Sequence, residues 1–68
     1  MEQMILRLPK VKAVTGLSRS TIYLRMSEGA FPKNINLGSR AVGWLKSEVS
    51  DWMEKRILES RAGVSPQG

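Results

Sequence analysis

The side chains best suited to chemistry are concentrated in one short run, Thr15-Gly16-Leu17-Ser18-Arg19-Ser20-Thr21-Ile22-Tyr23. Serine and threonine hydroxyls donate and accept hydrogen bonds, and arginine presents a fork of donors that matches phosphate and guanine. The 68-residue chain contains neither His nor Cys, which excludes disulfides, zinc fingers, thiol nucleophiles and imidazole bases. The run therefore favours binding to a polyanion over covalent catalysis.

Three carboxylates near the end of the chain are the other candidates for chemistry. Glu48, Asp51 and Glu54 are spaced i, i+3, i+6, which brings acidic groups together on a helix. Without His, Cys or a Gly-rich phosphate loop, this spacing is more typical of a solvated helix face than of an acid pair or metal site. We predict no catalytic residue, no metal ligand and no cofactor, and hence that the protein is not an enzyme.

A helix and a turn are predicted to lead into the hydroxyl-rich run. Pro9 suits the first turn of a helix over residues 9–15, and one face of this helix carries the apolar residues Leu8, Val11 and Val14. Gly16 is expected to end it in the left-handed conformation. Residues 1–8 are expected to form only a short leader.

A second helix is predicted to present the run itself. Ser18 resembles an N-cap, and the helix extends from Arg19 to about Glu28, with Ile22 and Met26 as its core stripe. A helix stop, an apolar turn residue (Leu17) and a capped second helix are the parts of a helix-turn-helix.

The hydrophobic period changes from helical to alternating after Pro32. Ile35 and Leu37 alternate with polar residues, residues 38–41 favour a turn, and residues 42–44 alternate again, which predicts a two-stranded hairpin. From about Lys46 a helical period returns through Val49, Trp52, Met53 and Ile57. The predicted fold is mainly α with a small β-hairpin: a winged helix-turn-helix with a two-stranded wing and a C-terminal helix. Trp44 lies at an alternating position and Trp52 at a helical one, which favours core packing over base stacking for both.

The charge of the chain supports the same assignment. The net charge is +5, and it divides into +6 over residues 1–46 and −1 over residues 47–68. Positive charge therefore coincides with the predicted helix-turn-helix and wing, which favours nucleic acid as the partner. We expect one cytoplasmic domain over residues 1–61 and a disordered tail over residues 62–68, with no membrane partner.

Helical geometry indicates which residues of the second helix could contact bases and which could contact phosphates. At about 100° per residue, Ser20, Thr21 and Leu24 lie away from the core stripe. The hydroxyls could bond to base edges, whereas Leu24 could contact only a thymine methyl. Arg19 and Arg25 are better placed for phosphates, although Arg19 could also contact guanine.

The ordered set of motifs resembles the AlpA-type prophage transcriptional regulators, within the excisionase-like and MerR-like winged-helix group. The resemblance covers residues 7–57 and includes the run above, Phe31-Pro32 and Gly43-Trp44. It implies a prophage-encoded DNA-binding protein whose second helix enters the major groove and whose wing touches the backbone or minor groove. The residues expected to bind DNA are Ser18, Arg19, Ser20, Thr21, Tyr23, Leu24 and Arg25 on the helix, and Lys33, Asn36, Ser39 and Arg40 on the wing.

Three functions are compatible with these features. The resemblance implies a sequence-specific regulator of an integrase or excision gene, and its relatives imply a DNA-bending excisionase as an alternative. A third hypothesis, from another class, is a module that inhibits a host regulator through the helix over residues 49–57. Because one short recognition helix reads few base pairs, tight specificity requires either a homodimer or cooperative binding to repeated sites on double-stranded DNA.

Overall fold

The predicted helices and hairpin are present, and one additional strand joins them. A computed structural model describes residues 4–62, and the order of elements there is β1 (Ile5–Leu6), α1 (Leu8–Thr15), α2 (Arg19–Ser27), β2 (Ile35–Gly38), β3 (Ala41–Leu45) and α3 (Lys46–Arg61). The expected disordered tail lies outside the described residues, apart from Ala62.

The sheet within residues 4–62 has three antiparallel strands in the order β1-β3-β2. The expectation of a two-stranded hairpin after a plain leader was therefore incomplete. Ile5 pairs with Leu45 and Leu6 with Trp44, so the leader forms a strand on the free side of β3. A strand of two residues is too short to show an alternating pattern in the sequence, and only its tertiary partner defines it.

The turn between the first two helices follows the predicted chemistry. Gly16 adopts a left-handed φ of 74°, and its N–H donates to the carbonyl of Lys12. The Thr15 hydroxyl accepts from the N–H of Leu17 at 3.2 Å, which secures the next residue of the turn. Leu17 is half-buried and packs against the core. These contacts hold the short connection that orients α2.

The core takes residues from every helix and from the sheet. Its buried members are Leu6, Val11, Ile22, Phe31, Trp44 and Val49. Trp44 is fully buried, and its indole Nε1 donates to the carbonyl of Pro32 at 3.1 Å. Trp52 is half-buried and donates to the carbonyl of Ala30 at 2.7 Å. Both tryptophans therefore pack in or against the core, as the sequence predicts, and both tie the loop after α2 to the rest of the fold.

Three apolar residues that the periodicity assigns to the core are exposed instead. Val14, Leu37 and Ile57 have exposed fractions of 38%, 41% and 46%. Val14 lies in the last turn of α1, whereas Val11 provides its buried contact. Leu37 lies on the face of the sheet opposite Trp44, and Ile57 lies beyond Val49, the buried residue of α3. Periodicity identifies the apolar face of an element but not how far the neighbouring elements extend to cover it.

No helix in the described part of the chain is both long enough and apolar enough to span a bilayer. Among residues 4–62, no group of three or more acidic residues is arranged to hold a metal ion.

Candidate nucleic-acid interface

The N-terminus of α2 is held by a two-way hydrogen bond between Ser18 and Thr21. The N–H of Thr21 donates to Ser18 Oγ at 3.2 Å, and Ser18 Oγ donates to Thr21 Oγ1 at 3.0 Å. Ser18 therefore acts as the N-cap that the sequence predicts. Because its hydroxyl is engaged within the protein, Ser18 positions the helix.

Arg19 lies on an aromatic support that connects it to the core. Its guanidinium carbon is 5.1 Å from the centroid of the Tyr23 ring. Tyr23 in turn contacts Trp44 edge-to-face, with ring centroids 6.2 Å apart. A cation held over an aromatic face loses freedom but keeps its outward N–H groups. Tyr23 is thus a half-buried support, and Arg19 is a pre-oriented donor at the start of α2.

The remaining predicted residues of α2 differ in exposure and pairing. Ser20 and Leu24 are exposed, and Leu24 has 55% of its surface accessible. Arg25 forms a salt bridge of 3.6 Å with Glu28 one turn later. Both side chains are about half exposed, so the pair is weak, but it partly compensates the charge of Arg25. Of the two arginines of α2, Arg19 is therefore better suited than Arg25 to bind an anionic ligand.

The predicted wing residues are all exposed but do not form one cluster. Ser39 and Arg40 lie in the turn between β2 and β3. Asn36 uses its side-chain oxygen to accept from the N–H of Gly38 at 2.9 Å, next to a register shift between β2 and β3. Lys33 precedes β2, at the end of the hairpin away from this turn. Within the hairpin, Lys33 therefore lies at the base, whereas Ser39 and Arg40 lie at the tip.

Arg40 has a left-handed backbone with a φ of 59°. This conformation costs a non-glycine residue about 1–2 kcal/mol, because Cβ approaches the following carbonyl oxygen. A long basic side chain thus occupies a turn position that glycine would adopt without strain, and it extends into solvent.

Arg7 is a residue near the hairpin that the sequence reasoning did not assign to the wing. Its Nε donates to the carbonyl of Val42 on β3 at 3.0 Å, across 35 positions of sequence. This contact depends on the pairing of β1 with β3. The sequence of residues 1–8 contains no pattern from which the contact between Arg7 and Val42 could be predicted.

Positive charge is concentrated in the first two helices and is balanced by acidic residues in α3, as the sequence predicts. Residues 4–27 contain Arg7, Lys10, Lys12, Arg19 and Arg25 and no acidic residue. All five of these cations are exposed. Helix α3 instead carries both signs, with acidic Glu48, Asp51, Glu54 and Glu59. The electropositive surface therefore lies on Arg7 before α1, on α1 and α2, and at the hairpin tip.

Comparison with known proteins places the chain among phage regulators. The family model described as prophage CP4-57 regulatory protein (AlpA) matches residues 4–57. An uncharacterized protein, ORF88, of Enterobacteria phage P4 is 45% identical over 62 residues, covering 91% of this chain and 70% of the relative. A protein of Escherichia coli K12, named DNA-binding transcriptional activator AlpA, is 40% identical over 58 residues, covering 76% of this chain and 83% of the relative.

Proposed function

Since this chain belongs to the AlpA family of prophage regulatory proteins, we propose that it is a sequence-specific DNA-binding transcriptional regulator of a prophage or integrated element. It acts on the element's own DNA in the bacterial cytoplasm, without catalysis or cofactor. Its fold functions as a winged helix-turn-helix, in which α1 and α2 form the helix-turn-helix and β2 and β3 form the wing.

The observation that supports this proposal best is the construction of the N-terminus of α2. The Ser18 cap orients the first turn, Tyr23 and Trp44 support Arg19, and buried Ile22 anchors the opposite face. Exposed donors at a helix N-terminus are the groups that reach base edges when a recognition helix enters the major groove. In this mechanism Ser20 and Thr21 bond to base edges, and Leu24 contacts a thymine methyl.

The wing and Arg25 supply affinity rather than sequence information. Arg25, Ser39 and Arg40 contact phosphates, Asn36 shapes the turn and contributes its free amide, and Lys33 reaches the backbone from the base of the hairpin. With five or six phosphates neutralised, the logarithm of the binding constant falls against the logarithm of salt concentration with a slope of about −5.

The target is an integrase or excision gene of the same element. The relative from E. coli is named as a transcriptional activator, which supports regulation by contact with a promoter region. Footprinting across the DNA that flanks the gene would give the site, its repeat spacing and its relation to the promoter. Two half-sites about 10 base pairs apart would indicate a homodimer or cooperative binding.

The central test compares two arginines that have similar aromatic supports. Arg19 lies 5.1 Å from the Tyr23 centroid on α2, and Arg56 lies 5.5 Å from the Trp52 centroid on α3. Arg19→Ala should weaken binding to the footprinted site by about tenfold or more, as loss of one specific arginine contact does. Arg56→Ala removes the same charge and a similar stacking contact, and it should leave affinity unchanged. Equal affinities for the two variants would refute the proposed interface.

Two alternative functions would involve different surfaces of the molecule or different assays. An excisionase would bind through the same surface, and circular-permutation assays together with excision measured without new transcription would identify it. A protein-binding inhibitor would use the end of α3, where Ile57 and Leu58 are exposed. Val49, which the sequence included in that surface, is buried and unable to contact a partner. A shallow salt dependence of partner binding would favour the protein-binding function.

A further inference from the structure

We propose that Arg7 is an additional phosphate-binding residue, fixed against the wing by β3, and that DNA is contacted on the β1 side of the hairpin as well as at its tip. This inference rests on the proposed function. It adds a contact that neither the motif run nor the hairpin sequence assigns.

The direction of the Val42 carbonyl follows from the ladder between β1 and β3. The N–H of Lys46 donates to the carbonyl of Met4 at 2.8 Å, so the backbone groups of Lys46 face β1. In an antiparallel pair, alternate residues direct their backbone groups to the same neighbour, so Trp44 and Val42 also face that side. Because β1 ends at Leu6, the Val42 carbonyl has no strand partner there.

The side chain of Arg7 takes the place of the missing strand. Its Nε donates to the Val42 carbonyl at 3.0 Å, which fixes the plane of the guanidinium. A guanidinium carries five N–H donors, so the four on its terminal nitrogens are not used by this bond. The salt bridge described within residues 4–62 joins Arg25 and Glu28 and does not involve Arg7. The residue is exposed, so an oriented cation faces solvent beside the wing.

The position of this cation matches the backbone that the wing would contact. Val42 follows Arg40 by two residues, so their Cα atoms are separated by at most about 7 Å. Arg7 is therefore held on β3 two residues from Arg40, which places a second cation next to the hairpin tip. Phosphate contacts of this kind fix the register of the protein on DNA without reading sequence.

The variant Arg7→Gln separates this role from a purely structural one. Glutamine Nε2 is attached to Cδ, as arginine Nε is, so the amide can still donate to the Val42 carbonyl. The substitution removes the charge and the four terminal donors. The matched control is Arg56→Gln on α3, which makes the same change of net charge outside the proposed interface. Thermal unfolding of both variants checks that the fold is retained.

Binding is measured by fluorescence anisotropy at several salt concentrations, on the footprinted site and on random duplex DNA. We expect Arg7→Gln to reduce the magnitude of the salt slope by about 0.9 and the affinity at 0.1 M salt by about eightfold, equally on both DNAs. Arg56→Gln should match the wild type. The inference is overturned if Arg7→Gln and Arg56→Gln give the same slope, or if Arg7→Gln weakens binding only to the footprinted site. If the wild type itself shows no steep salt dependence, the proposed function fails, and that result is distinct from either outcome for Arg7.

Discussion

The left-handed backbone of Arg40 allows stability and DNA affinity to be changed in opposite directions by one substitution. With φ at 59°, a residue with a Cβ is strained by about 1–2 kcal/mol, and glycine removes that strain. Glycine also gains freedom in the unfolded chain, which offsets about 0.4–1 kcal/mol. Arg40→Gly should therefore raise the free energy of unfolding by up to about 1.5 kcal/mol. For a domain of this size, each kcal/mol gained corresponds to a rise in Tm of about 4–8 °C.

The matched variant is Arg40→Ala, which removes the same charge but keeps a Cβ at the strained position. Its Tm should remain close to that of the wild type, because the exposed side chain leaves no cavity when it is shortened. Both variants should lose one phosphate contact, so their salt slopes should fall in magnitude by the same amount, about 0.9.

Thermal unfolding followed by circular dichroism, with DNA titrations on the same samples, measures both effects. If Arg40→Gly is less stable than Arg40→Ala, the turn does not have the left-handed conformation in solution, because only the entropic cost of glycine then remains. If both variants retain the wild-type salt slope, the hairpin tip does not contact DNA.

Two further substitutions test the supports of the interface. Ser18→Ala removes the cap of α2 and should lower the free energy of unfolding by about 1 kcal/mol, whereas Ser18→Gly should cost only a few tenths of a kcal/mol; equal losses in urea unfolding would contradict the cap assignment. Gly43→Ala should cost about 1–3 kcal/mol, because a Cβ there would overlap Cγ2 of Ile5 and lie 3.1 Å from the Leu6 carbonyl oxygen. Adding Ile5→Ala should recover part of that loss, and simple additivity of the two changes would show that β1 does not pack over Gly43.

The parts of the fold that the sequence predicts are those with local causes. Gly16 ends α1 and Ser18 caps α2 because a positive φ and a side-chain acceptor act within a few residues of chain. The limits of α2 and the start of α3 at Lys46 agree with the periodicity for the same reason. The rotation of about 100° per helical residue predicts that Leu24 lies on the outer face of α2, and Leu24 is exposed.

The errors concern contacts between distant segments. Leu37 and Ile57 have the correct spacing for core residues, but no neighbouring element covers them. Strand β1 was missed because two residues acquire strand structure only through pairing with β3.

The candidate site shows the same division. The residue types at the start of α2 and the concentration of positive charge before Ser47 are properties of the sequence itself, and the family resemblance follows from the ordered motifs over residues 7–57. Only the tertiary structure decided that Tyr23 and Trp44 support Arg19. It also decided that Arg7 lies beside Val42, 35 residues away. Helix caps and periodicity act over one or two turns of chain, whereas the orientation of a cation is determined by the surface packed beneath it, which distant residues provide.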